Sequence, residues 1–132
     1  MKNNDLNLIE AAKIAAKNAY APYSGYQVGA ALETIDGVVY TGCNVENASY
    51  SLTICAERNA VAQALLNGAC NFRAIAIYAD TDIFFPPCGA CRQVLSEFTP
   101  GMLVIYANKN KIKKAKLNEL LPDNFQLKRS DK

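Results

Sequence analysis

The sequence contains no histidine. That absence excludes more than any other feature. No Ser-His-Asp triad, no Cys-His pair and no imidazole metal ligand can form within this chain. Any metal must be held by Cys, Asp, Glu or water, and any proton must travel on a carboxylate, Lys, Tyr or Cys. Net charge is also nearly absent. Fourteen Lys plus Arg against 12 Asp plus Glu leave +2, which gives no general pull toward nucleic acid or an anionic membrane. No apolar run approaches the ~18 residues of a membrane span. Lys2, Asp5, Glu10, Lys13 and Lys17 interrupt the first twenty positions, unlike a signal peptide. The expectation is a cytoplasmic protein that touches neither membrane nor nucleic acid.

Gly and Pro are sparse, at seven and five, and 51% of the residues are apolar. A chain of 132 residues with that balance should fold as one domain, 1–132, with a self-sufficient core. Its five Cys, in a reducing compartment, read as metal ligands or buried thiols rather than a disulfide framework.

Hydrophobic periodicity predicts an opening helix over 5–19, capped by Asn4 or Asp5 and stopped by Pro22. Tyr26, Val28, Ala30 and Leu32 alternate with Gln27, Gly29, Ala31 and Glu33, a period-two strand. Asp36-Gly37 fits a hairpin turn, and 38–45 returns antiparallel. Residues 55–66 read as a buried helix closed by Gly68, 72–79 as a buried strand, and 89–98 as a second buried helix ended by Pro100-Gly101. Strands at 103–107 and 112–117 and a helical turn at 118–121 complete the chain. This order implies a three-layer α/β/α sandwich around a mixed five-stranded sheet. Lys109, Lys111, Lys113, Lys114 and Lys116 run through the last turn and the last strand, where lysines guard an exposed edge against aggregation.

Two short motifs carry chemistry. In Pro87-Cys88-Gly89-Ala90-Cys91, cysteines three apart at a helix start put both sulfurs within reach of one tetrahedral ion. The free amides there favour thiolates. Alone, this motif is ambiguous between zinc and redox chemistry. Cys55-Ala56-Glu57-Arg58 opens another helix and sets a carboxylate beside a thiol. If Cys55 joins Cys88 and Cys91, zinc has three protein ligands and an open position for water, the arrangement of a catalytic site. A structural zinc is closed by four. Glu57 would then stand beside that water, suited to moving protons.

The combination resembles the three-Cys form of the small homotetrameric cytidine deaminases. The likeness extends to Ala21-Pro22-Tyr23-Ser24 and to residues 27–32, 42–50 and 120–125. It implies one Zn²⁺ per chain on Cys55, Cys88 and Cys91, with Glu57 as proton carrier. The implied reaction converts cytidine or deoxycytidine to the uracil nucleoside and ammonia, in pyrimidine salvage. Arg58 would offset the charge of the three thiolates. Asn44 and Glu46 would hold the ribose, the Ala56 amide the base carbonyl, Tyr26 the base face and the Pro86 carbonyl the departing amine. Tyr50 and Phe125 would complete the pocket of an adjacent chain in a tetramer. Tyr26 and Pro86 depart from the Phe and the Ser or Thr common at those positions. Cys43 and Cys70 match no ligand role and are expected to be buried free thiols. A blasticidin-type nucleoside deaminase is the same-class alternative. A structural zinc module, with Cys43 as fourth ligand, is the alternative of a different class.

Overall fold

The computed structural model describes residues 3–127 and 129. Helix α1 (Asn3–Ala16) precedes a hairpin of β1 (Val28–Thr34) and β2 (Val39–Cys43). A 3-10 turn at Tyr50–Leu52 leads to α2 (Ala56–Leu66), β3 (Phe72–Ala79), α3 (Gly89–Ser96), β4 (Leu103–Ala107), β5 (Ile112–Lys116) and the short α4 (Leu117–Leu120). The strands form one mixed sheet in the order β2-β1-β3-β4-β5. β1 pairs antiparallel with both β2 and β3, β3 runs parallel to β4, and β4 pairs antiparallel with β5. A parallel pair needs a crossover, and α3 supplies it. The layers are those the sequence predicts.

Two apolar clusters sandwich the sheet. On one face α1 lays Leu8, Ile9, Ala12 and Ala16 on Ala31, Ala74, Ala76, Tyr78, Ile105 and Ala107. On the other, α2 and α3 bury Ala56, Ala60, Val61, Ala64 and Leu95 against Ala30, Leu32, Phe72, Ile75, Ile77 and Val104. β1 is therefore buried on both sides, which its alternating pattern does not announce. Two glycines permit this closeness. A Cβ at Gly29 would stand 2.0 Å from the Ala12 carbonyl oxygen, and one at Gly42 would stand 2.5 Å from the Ala56 carbonyl oxygen. Gly42 thus lets the first turn of α2 press on β2, and that contact brings the second motif next to Asn44.

Element ends differ from expectation by up to three residues, with local causes. α1 stops at Ala16, well before Pro22. The amides of Lys17, Asn18 and Ala19 bond back only three residues, and Tyr20 then bridges Val45 through bonds to Asn44 and Glu46. Asp5 is not a cap: it is buried, and Arg73 and Lys114 donate to its carboxylate at 3.1 and 3.2 Å. α2 closes as expected at Gly68, whose φ of 85° a side chain would disfavour. Cys70, in the turn that follows, is exposed rather than buried, because that turn runs over the surface; Cys43 is half-buried. Among the described residues no helix is long and apolar enough to cross a membrane.

Candidate active site

Two helix starts converge at one end of the α2 and α3 layer. Cys55 and Cys88 occupy the N-cap positions of α2 and α3, where Ser, Thr, Asp or Asn usually sits. Both are extended in backbone, and neither makes a side-chain capping bond. Their carbonyls instead accept from Asn59 and Arg92, at 3.1 and 2.9 Å, and so start the helices. The sulfurs are left free to face one another. Cys91, one turn into α3, is fully buried and completes the group, all three sulfurs lying within 4.8 Å of one another.

The spacing suits a tetrahedral ion. Sulfurs about 2.3 Å from a common zinc stand about 3.8 Å apart. Cys55 Sγ and Cys88 Sγ are separated by 3.8 Å. Cys43 is not part of the cluster, so among the described residues the fourth sulfur of a closed structural site is not supplied. Hydrogen bonding from the Cys91 thiol outweighs the burial of Cys55 and, with Arg58, holds it down at about 5. Cys91 is pushed up in turn by that bond to Cys55 and by its own burial. A divalent cation held by the three sulfurs would take the place of their remaining protons.

Arg58 lies on the same turn. Its Nη2 reaches Cys55 Sγ at 3.9 Å and donates to the Thr53 carbonyl at 3.3 Å, while its buried Nε has no hydrogen-bond partner. Arg92 does different work: it donates to the Pro87 carbonyl at 2.8 Å and to the Leu120 carbonyl at 2.9 Å. It ties the Pro87–Cys88 segment to the end of α4.

Glu57 is buried beside this cluster. Burial pushes its carboxyl up to about 7 and the Cys55 charge adds to the rise, while its own amide and Arg58 oppose it. A carboxyl poised near neutrality in a cleft marks a group able to both take and give a proton.

A mostly apolar cavity of about 260 Å³ opens over these groups. It brings together Tyr26, Asn44, Cys55, Ala56, Glu57, Pro86 and Cys88 of the expected residues. Asn44 is fixed from both sides: it accepts from the Val28 amide at 2.9 Å and donates to the Tyr26 carbonyl at 2.8 Å. Glu46 sits just behind, accepting from the Tyr23 and Ser24 amides and the Ser24 hydroxyl. Those bonds hold its carboxylate below the usual range. Tyr50 and Phe125 do not line the cavity. Tyr50 is 61% exposed with its ring edge-on to Tyr23, and Phe125 is 67% exposed.

Sequence reasoning missed Ser24, Val28, Thr53 and Phe85, which also line the cavity. Ser24 lay within a recognised motif, and Phe84-Phe85 before the Pro-Pro-Cys run was a signal that passed unread. A larger cavity, about 400 Å³, lies between the 34–40 turn and the end of α2 and holds neither the sulfur cluster nor Glu57.

Three thiols set to hold a divalent ion, opening onto a carboxylate kept from water, define a metal-dependent enzyme site. Comparison with known proteins narrows this class. Residues 2–107 match the family of the cytidine and deoxycytidylate deaminase zinc-binding region. A cytidine deaminase of Sporosarcina psychrophila is 47% identical over 120 residues, covering 89% of this chain and 88% of that protein. One of Mycobacterium tuberculosis is 42% identical over 128 residues, covering 96% of this chain and 94% of that protein. The crystal structure of a cytidine deaminase from Burkholderia pseudomallei superposes with a TM-score of 0.87 at 49% identity, covering 95% of this chain and 100% of that one. The chain belongs to the zinc-binding cytidine deaminase family.

Proposed function

We propose that the chain hydrolyses cytidine and deoxycytidine to uridine and deoxyuridine, releasing ammonia, as a step in pyrimidine salvage. The observation that carries this reading is the meeting of Cys55, Cys88, Cys91 and buried Glu57 at one cavity in a chain of this family. The three cysteines would hold one zinc. When bound, zinc acidifies the water that adds to the base.

The remaining work belongs to the chain's own groups. Glu57 takes one proton from the attacking water at its carboxylate and passes it to N3 of the base. It then takes the proton of the resulting C4 hydroxyl and passes it to the amine as the C4–N bond breaks and the C4 carbonyl forms. Its burial supports this role, since a carboxyl near neutrality exchanges protons both ways. Arg58 donates toward Cys55 Sγ, and would draw charge from a site where three thiolates outweigh a bound divalent ion.

Asn44 and Glu46 hold the ribose hydroxyls, and their bonds to the 23–28 backbone support this by removing rotamer freedom before substrate arrives. The Ala56 amide, free at the start of α2, receives the base carbonyl, and Tyr26 packs on the ring. The Pro86 carbonyl accepts from the departing amine, a role proline retains.

Tyr50 and Phe125 act in the pocket of a neighbouring chain, in a homotetramer. Their exposure, outside their own cavity, supports this. So does the grip of Gln93, which bonds both the Phe125 carbonyl, at 2.8 Å, and its amide, at 3.4 Å. The five free thiols suit a reducing cytoplasm.

Loss of cytidine absorbance in the presence of purified, zinc-analysed protein tests the activity; zinc-loaded protein that leaves cytidine unchanged refutes it. Mixing Phe125→Ala with Glu57→Gln chains and allowing subunit exchange tests the shared pocket. Activity should rise above either parent, and no rise under proven exchange removes Phe125 from the neighbour's site.

A further inference from the structure

We infer that Phe85 is the wall that limits the size of the base the pocket accepts, and that the β4–β5 hairpin holds it in place through Phe84 and Lys113. The inference rests on the deaminase reading above and names a specificity element within that site. Phe85 lines the cavity and meets Tyr26 with ring centroids 5.2 Å apart at 58°. It immediately precedes Pro86, whose carbonyl is assigned to the amine on C4. Its ring therefore borders the edge of the base next to C4, the side that carries C5.

The 80–88 connection that presents Phe85 has no regular secondary structure, so something else must fix it. The β4–β5 hairpin does so at two levels. At the base of the loop, Lys109 N donates to the Thr81 carbonyl at 3.2 Å, and Asn108 Nδ2 to the Asp82 carbonyl at 3.0 Å. Asn110 Nδ2 adds a bond to Asp82 Oδ1 at 2.9 Å. Further along, Tyr106 and Lys113 are cross-strand partners and share one face of the sheet. Phe84 sits on both: its ring is edge-on to Tyr106 at 5.8 Å, and Lys113 Nζ lies 4.4 Å from its centroid.

The two neighbouring rings are thus held on different elements, Phe84 on the hairpin and Phe85 on Tyr26 at the cavity, so the grip on Phe84 steadies the backbone that presents Phe85. The lysine strand gains a specific role by the same geometry. Alternation sends Lys114 to Asp5 on the α1 face and Lys113 to Phe84 on the other.

Steady-state kinetics on cytidine and on a cytidine with a bulky C5 substituent test the proposal, with zinc content measured alongside. Phe85→Ala should raise KM for cytidine up to about tenfold. It should leave kcat within about threefold and improve the bulky substrate relative to cytidine by about tenfold. Phe85→Leu, which keeps most of the volume, should move both readings less and in the same direction, guarding against a folding defect. Lys113→Ala should shift the substrate ratio by about two- to fivefold, and Lys113→Arg should restore it, since a guanidinium also rests on an aromatic face. Phe85 variants that are active with unchanged KM and substrate ratio overturn the wall. A Lys113→Ala enzyme with an unchanged ratio overturns the hairpin's part. Zinc-loaded parent protein inert toward cytidine would instead defeat the deaminase reading, so the two failures are separable.

Discussion

Asp5 and Glu57 are both carboxylates in the first turn of a helix, at 1% and 5% exposure, and they lie on opposite faces of one sheet. The charges around them differ. Burial drives Asp5 upward, but Lys114 and Arg73 reach it by hydrogen bond and charge, and the balance leaves it below its ordinary value. Glu57 receives no such pair of cations; desolvation dominates and it rises to about 7. The α1 face uses a buried carboxylate to tie α1 to β3 and β5. The α2 and α3 face keeps one ready to change protonation state. Burial alone therefore does not mark function; in Glu57 it does so together with a cavity and a neighbouring thiol cluster, where the Arg58 charge is too weak to offset desolvation.

Several substitutions sharpen or break this contrast. The largest effect should follow removal of a sulfur on the chemical face. Cys91→Ala should lose both zinc and cytidine turnover, by metal analysis and absorbance, because two thiolates and water make a poor site. Cys43→Ala should keep both. Next, Asp5→Ala should lower stability in urea by about 2 kcal/mol with kcat unchanged well below the melting temperature. That is less than the roughly 3–5 kcal/mol of a fully buried broken pair. Arg73 and Lys114 remain 30% and 36% exposed and can turn to water.

The pH dependence of the same network has a definite sign. Asp5 is held below its unfolded pKa of about 3.9, so its stabilisation is complete above that pH and fades as the folded pKa is crossed downward. The stability gap between the chain and Asp5→Asn should thus be constant from pH 5 to 6 and narrow below about pH 4. The smallest effect belongs to an exposed pair. Lys109 and Asp82 stand 4.0 Å apart in solvent, and removing the Lys109 charge should change stability by less than about 0.5 kcal/mol.

Most of the site was legible in the sequence because its chemistry depends on spacing along single helices. Cys55 with Glu57, and Cys88 with Cys91, are fixed relative to one another once α2 and α3 begin where they do. The layer order was legible for the same local reason. What escaped the sequence depends on contacts between distant segments. The alternation of β1 suggests one buried face, yet Gly29 and Ala31 lie under α1 because small residues admit a second helix. Asp5 reads as a cap until Arg73 and Lys114, far along the chain, arrive beside it. Lys113 and Lys114 read as edge protection until the pleat sends them to different partners. Phe85 lay in a segment with no period at all.

The central claim is that Glu57 moves protons at a metal site it does not help to build. Zinc content and cytidine turnover, measured together on Glu57→Gln, test it most directly. The amide keeps the shape without the proton chemistry, so zinc should remain at one per chain while kcat falls by about 10²–10⁴. Near-normal turnover with zinc in place, or loss of the zinc itself, would contradict the assignment.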